Sequence, residues 1–121
     1  MEFITLYDIT DEVLQVKQVN IDNANDFVTA LAAQYGVTVP VATVKARRIA
    51  VMHACVLRCL DLIGKDSSAN YDGKADTDIY KLKLDVYKGE QKELMASLSA
   101  ADFTDSAIRN GGYSSIPLGR G

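Results

Sequence analysis

The chain has 121 residues, 48% of them apolar and 24% charged, with a formal net charge of −3 and a pI near 5.0. That length and balance fit one globular domain able to bury about 65% of its unfolded surface, and they exclude wholesale disorder. An acidic chain without a basic run also argues against gripping nucleic acid through its phosphates.

Glu2 to Tyr7 reads as a short extended lead. Asp8 and Thr10 are candidate N-caps, with Asp11 and Glu12 placed where a helix N-terminus favours negative charge. Ile9, Val13 and Val16 follow at helical spacing and predict a short helix to about Gln18. Asn20 to Asn25 is a turn-prone cluster. Asn23 or Asn25 then caps a second helix, NDFVTALAAQYG, with Phe27, Leu31 and Tyr35 on one face and Gly36 at its C′ position.

Pro40 suits the first turn of a central helix. That helix spans Val41 to Gly64, VATVKARRIAVMHACVLRCLDLIG, and between Ile49 and Ile63 only His53, Arg58 and Asp61 are polar. A helix apolar on nearly all sides is expected to be covered on nearly all sides, and Gly64 follows as a stop. The run is too short and too interrupted by charge to read as a membrane span.

KDSSANYDGKADTD is a polar loop of turn formers. Thr77 to Leu98 reads as a long helix. Its stripe of Tyr80, Leu84, Tyr87, Gln91, Leu94 and Leu98 is widened by Ile79, Leu82 and Val86. Gly89 interrupts the stripe at a cost of up to about 1 kcal/mol, which suggests close packing or a bend. Ser99-Ala-Ala-Asp102 looks like a capping box opening one more turn, anchored by Phe103. From Thr104 the periodicity is lost. The predicted architecture is all-α, a bundle of three to four helices around a central buried helix over residues 1–104, followed by an extended arm over 105–121. Tyr113, Ile116, Pro117, Leu118 and Arg120 of the arm form a segment suited to docking on a partner.

Chemistry-bearing residues are sparse. Cys55 and Cys59 share a helix face, but His53 lies roughly 200° around from Cys55 at helical pitch, and the chain has no other Cys or His. The thiols therefore read as core packing and reduced cysteines, with no metal or cofactor. Ser68 to Ile79 is a near miss for a calcium loop: Asn70, Asp72, Gly73 and Asp76 fit, while Ser and Ile stand where carboxylates are needed. No nucleotide-binding loop or metalloprotease motif occurs, so no enzyme is expected. The N-terminus has no cationic region ahead of an apolar block, so no signal peptide is expected. Arg47 and Arg48 read as a small basic spot, as plain surface charges, or as partners for acidic groups on the third helix or a neighbouring subunit. His53, Arg58 and Asp61 are the polar remainder of the helix: either a narrow exposed strip, or an Arg58–Asp61 pair at i, i+3, or, with Arg47 and Arg48, part of a subunit interface.

The order of KARRIAVMHACVLRCLDLIG, a polar loop, DIYKLKLDVYKGEQKELMASLSAADF and a glycine-rich arm resembles the small helical head–tail connector (adaptor or neck) proteins of tailed bacteriophages. The likeness spans roughly Val41 to Phe103. It implies a structural virion protein, made in the host cytoplasm and residing in the neck between capsid portal and tail. It further implies a homo-oligomeric ring, commonly of twelve copies, that contacts the portal protein and the next neck or tail protein. DNA would pass through its lumen without specific binding, and a net negative ring suits such a conduit. No membrane contact and no catalytic residue are implied. The competing reading is a small helical regulatory or DNA-binding protein, against which stand the acidic balance and the lack of a short basic recognition helix.

Overall fold

The computed structural model describes residues 1–69 and 74–104, with side chains described for 1–64 and 78–104. The arm residues Tyr113, Ile116, Pro117, Leu118 and Arg120 lie outside the described residues, as do Asn70, Asp72 and Gly73 of the calcium-loop comparison. The fold is all-α: α1 (Gln18–Gln34), α2 (Val44–Ala69) and α3 (Lys74–Ala96), with 3-10 turns at Leu6–Asp8 and Ala100–Phe103 and no strand among the described residues.

Both α1 and α3 pack along α2. Asn20 meets Asp61 and Phe27 meets His53, so α1 runs antiparallel to α2. Gln91 meets His53 and Ser97 meets Lys45, so α3 does too. Residues 1–17 form a strap across one face of this three-helix layer. On α2 that face is Val44, Arg48, Val51, Cys55, Arg58 and Leu62, spaced alternately four and three apart. Ile4 and Asp8 border Val44, Arg48 and Val51. Leu14 is fully buried against Cys55 and Cys59. The Arg58 Nε–H donates to the Leu14 carbonyl at 2.8 Å.

The strap replaces the predicted helix ending near Gln18. Asp11 accepts from the Val13 and Leu14 N–H groups at 3.1 and 3.3 Å, and Gln15 takes a left-handed φ of +49°. Lying flat buries Leu14 and half-buries Ile9 and Val16, which an isolated short helix, marginal in water, would leave exposed. Asn20 to Asn25 is likewise no turn but the start of α1. Asparagine disfavours helix interiors because its amide competes for nearby backbone, and here the buried amides are engaged elsewhere. Asn20 accepts from Lys17 N–H at 3.0 Å and donates to Asp61 at 3.1 Å. Asn25 accepts from Phe3 and Ile4 N–H at 2.8 and 3.0 Å and donates to the Ile4 carbonyl at 3.1 Å. Gly36 does close α1, at φ +83°.

α2 begins at Val44 and not at Pro40. Thr43 caps it, accepting from Ala46 N–H at 3.1 Å while its hydroxyl donates to the Asp102 carbonyl. Val41 N–H donates to the Phe103 carbonyl at 2.8 Å, tying the connector to the last turn. Gly64 does not stop the helix, which runs on to Ala69. Glycine lowers helix propensity without ending a helix unless its φ turns positive. The core gathers Phe3, Ile21, Val28, Leu31, Ile49, Ala50 and Phe103, all buried. Ser99 and Asp102 form the expected capping box, with Ser99 N–H donating to Asp102 at 2.9 Å.

Candidate functional site

His53, Leu57 and Leu60 recur at spacings of four and three on the face of α2 opposite the strap. His53 and Leu57 are half-buried and Leu60 is 49% exposed. Between Ile49 and Ile63 only Leu60 and Asp61 are exposed, so α2 is covered along most of this run and opens to solvent at Leu60. The His53 ring stacks on Phe27 with centroids 3.8 Å apart and planes 9° from parallel. The Gln91 amide hydrogen-bonds His53 Nδ1 at 2.9 Å. With Lys88, Gly89, Lys92, Met95 and Ala96 of α3, this pair lines an open groove of about 710 Å³. Its floor is apolar and aromatic, and the exposed Lys88 and Lys92 form its rim. A Cβ on Gly89 would meet nothing within 4 Å. Close packing inside the chain is thus not the reason for that glycine.

Burial pushes the His53 imidazole below its ordinary pKa, outweighing the opposing effect of Gln91. The unfolded chain then takes up a proton near pH 6.5 before the folded one does, so this group's contribution to stability is intact above that pH and declines below it. Urea midpoints are expected to fall between pH 7.5 and 5.5, and His53→Phe, which keeps a stacked ring, is expected to remove that part of the slope. Equal slopes in the two proteins would count against a buried neutral imidazole.

A second cluster lies under the strap. Asp11 Oδ2 accepts from Lys83 Nζ at 2.9 Å and from the Tyr87 hydroxyl, with only 10% of the Asp11 side chain exposed. Burial alone would raise the Asp11 pKa, but hydrogen bonds from Lys83 and Tyr87 and the Lys83 charge hold it below the carboxylate range. Burial and the Asp11 hydrogen bond push Tyr87 upward. Burial, with the nearby Asp11 charge, raises Cys55 to about 12 and Cys59 to about 11. The thiols thus stay protonated at neutral pH and behave as small apolar side chains. The arrangement clamps the strap to α3; a charge-assisted bond of this kind contributes about 1.5–3 kcal/mol.

The predicted interface residues are dispersed. Arg47 and Arg48 are exposed on the strap side, and Arg48 sits 3.6 Å from Glu90 of α3. Such a surface pair contributes about 0–1 kcal/mol. Arg58 and Asp61 do not pair with each other: Arg58 holds Leu14, and Asp61 holds Asn20. Among the described residues no group of three or more His, Cys, Asp or Glu side chains could hold a metal ion, and no helix is long and apolar enough to cross a membrane. Ile79, Leu82 and Val86 do not widen the buried stripe of α3. They lie 47–68% exposed on its far side, while Tyr80, Leu84, Tyr87, Gln91 and Leu94 are half-buried. The Phe27–His53–Gln91 set was legible only in part, through Gln91 standing in an apolar stripe. The Asp11–Lys83–Tyr87 set spans more than seventy positions and left no local signal.

No protein-family model, curated protein or solved structure matches this chain.

Proposed function

We propose that this chain is a structural assembly protein whose copies join into a ring, in the manner of a head–tail connector at a phage neck between portal and tail. The observation that carries this reading is the apolar surface a single copy leaves open: Leu60 on α2, and Ile79, Leu82 and Val86 on α3. The α3 set recurs at helical spacing, and an apolar face of this kind marks a contact site between chains. The order of elements over Val41 to Phe103 supports the same reading through its likeness to connector proteins. A net charge of −3 per copy suits a lumen that lets DNA slide.

Native mass spectrometry and negative-stain imaging of the full-length protein test the proposal. A ring population of one copy number, rising with protein concentration, is the expected result. A strictly monomeric protein up to the millimolar range would overturn it, and tight duplex binding at low salt would favour a DNA-binding regulator instead.

A further inference from the structure

The chain doubles back at one strained residue. Ile4 lies beside Asn25 of α1, and Leu14 lies beside Arg58 and Cys59 of α2. Asn20, soon after Leu14 in the chain, already meets Asp61. The strap therefore runs antiparallel to α1, and the corner between them is Gln15 to Lys17. Gln15 turns that corner at φ +49°, the only non-glycine residue with a positive φ among the described residues, while Lys17 is extended at φ −98° and ψ 161°. Left-handed backbone sets Cβ against the following carbonyl oxygen, a cost that Gly escapes and Gln does not. The Gln15 side chain is exposed, so its own packing does not hold the turn; the docked strap does.

What the strap docks on is defined residue by residue. Phe3 and Ile4 bond Asn25, Asp11 meets Lys83 and Tyr87, Leu14 covers Cys55 and Cys59, and the Leu14 carbonyl accepts from Arg58. The strap of a second copy satisfies the same set. If Gln15 opens to extended backbone in both copies, every one of these contacts is kept and the left-handed residue is lost. A short corner under strain favours exchange of this kind. The corner also carries its own complement. Glu12, Val13, Lys17 and Val19 are exposed, Val13 by 60% and Val19 by 55%. Two such corners crossing antiparallel bring each Glu12 toward the Lys17 of the other copy and gather the valines that a closed monomer leaves in water.

We infer that two copies of this chain exchange straps, each strap docking on the α1–α2–α3 layer of the other about a two-fold axis near Gln15. The exchange does not use the exposed face of α3, and it goes beyond the ring reading without requiring it. It competes with docking inside one chain, where a short linker gives an effective concentration of about a millimolar. Relief of one left-handed residue shifts that balance about tenfold for each of the two corners. Exchanged dimers are thus expected at about 10–100 µM.

Full-length protein, half of it carbon-13 labelled and half unlabelled, tests this after joint unfolding in urea and refolding at high micromolar concentration. Isotope-filtered NOEs are expected from the Leu14 methyl groups of labelled copies to the Cys55 and Cys59 β-protons of unlabelled ones. Two variants at the exposed corner set the direction. Gln15→Gly accepts left-handed backbone freely and is expected to weaken dimerisation about a hundredfold, tenfold for each corner. Gln15→Pro, locked at a φ near −65°, forbids the closed turn and is expected to raise the dimer above wild type. Sedimentation equilibrium reads both. A Gly variant that dimerises as well as wild type overturns the exchange. So does a Pro variant that stays monomeric with its strap undocked. Rings or dimers without the filtered Leu14 NOEs also overturn it, and leave the ring reading standing. Those NOEs in a dimer that never builds a ring would support the exchange and sink the ring reading.

Discussion

Replacing Asn25 with alanine is expected to free the start of the strap and to lower stability by about 3 kcal/mol. Asn25 is buried and makes three hydrogen bonds to one short stretch of backbone, accepting from Phe3 and Ile4 N–H and donating to the Ile4 carbonyl. Removing the amide leaves two buried donors and one acceptor without partners, each costing about 1–3 kcal/mol if it stays buried. The strap can instead swing into water, which limits the loss while surrendering the burial of Phe3 and Ile4. Urea denaturation should show the destabilisation. Native-state hydrogen exchange should show the Phe3 and Ile4 amides losing protection while those of α2 keep it. A change below about 1 kcal/mol with unaltered protection at Phe3 and Ile4 would sink the clamp.

Phe103→Ala should have an effect of similar or greater size, about 3–5 kcal/mol, the usual range for emptying a buried aromatic site. Phe103 is fully buried, packs 6.2 Å from the Tyr35 ring, and accepts from Val41 N–H through its carbonyl. The loss reaches beyond a cavity. The turn holding Phe103 also supplies the Asp102 carbonyl that fixes Thr43, the cap of α2, and the Asp102 carboxylate 3.4 Å from Lys45. A melting temperature lower by roughly 10–15 °C is expected, with the leucine variant much closer to wild type. A thermal scan placing the alanine variant within a degree or two of wild type would refute the anchoring role.

The periodic parts of this fold were readable and the flat part was not. The α3 stripe from Tyr80 to Leu94, the Gly36 cap and the Ser99–Asp102 box all follow from local spacing and local hydrogen bonds, and each stands where the pattern put it. The strap failed because Ile9, Val13 and Val16 mimic a helical period, while what holds them is tertiary: Asp11 to α3, Leu14 to Arg58. Asn20 and Asn25 failed for a related reason. Their turn propensity is a preference of the isolated chain, and partners far along the sequence override it. Gly64 shows that a glycine in an apolar helix is weak punctuation. Of the groove, sequence displayed the parts separately. His53 looked like a polar interruption and Gly89 like a packing device, and only the antiparallel placement of three helices made them neighbours.

The strap also has a consequence for the order in which the protein is made. Asp11 is made well before its α3 partners, since it and Lys83 are separated by 72 positions. At about 5–20 residues per second, some 4–15 seconds pass before Lys83 has been synthesised. Until α3 is made, the side of α2 that α3 covers stays bare, and Asp11 has neither Lys83 nor Tyr87 to hold it. Nascent chains crowded on one message would then expose greasy helices to one another, so slowing translation just after α2 should favour clumping and speeding it should favour clean release.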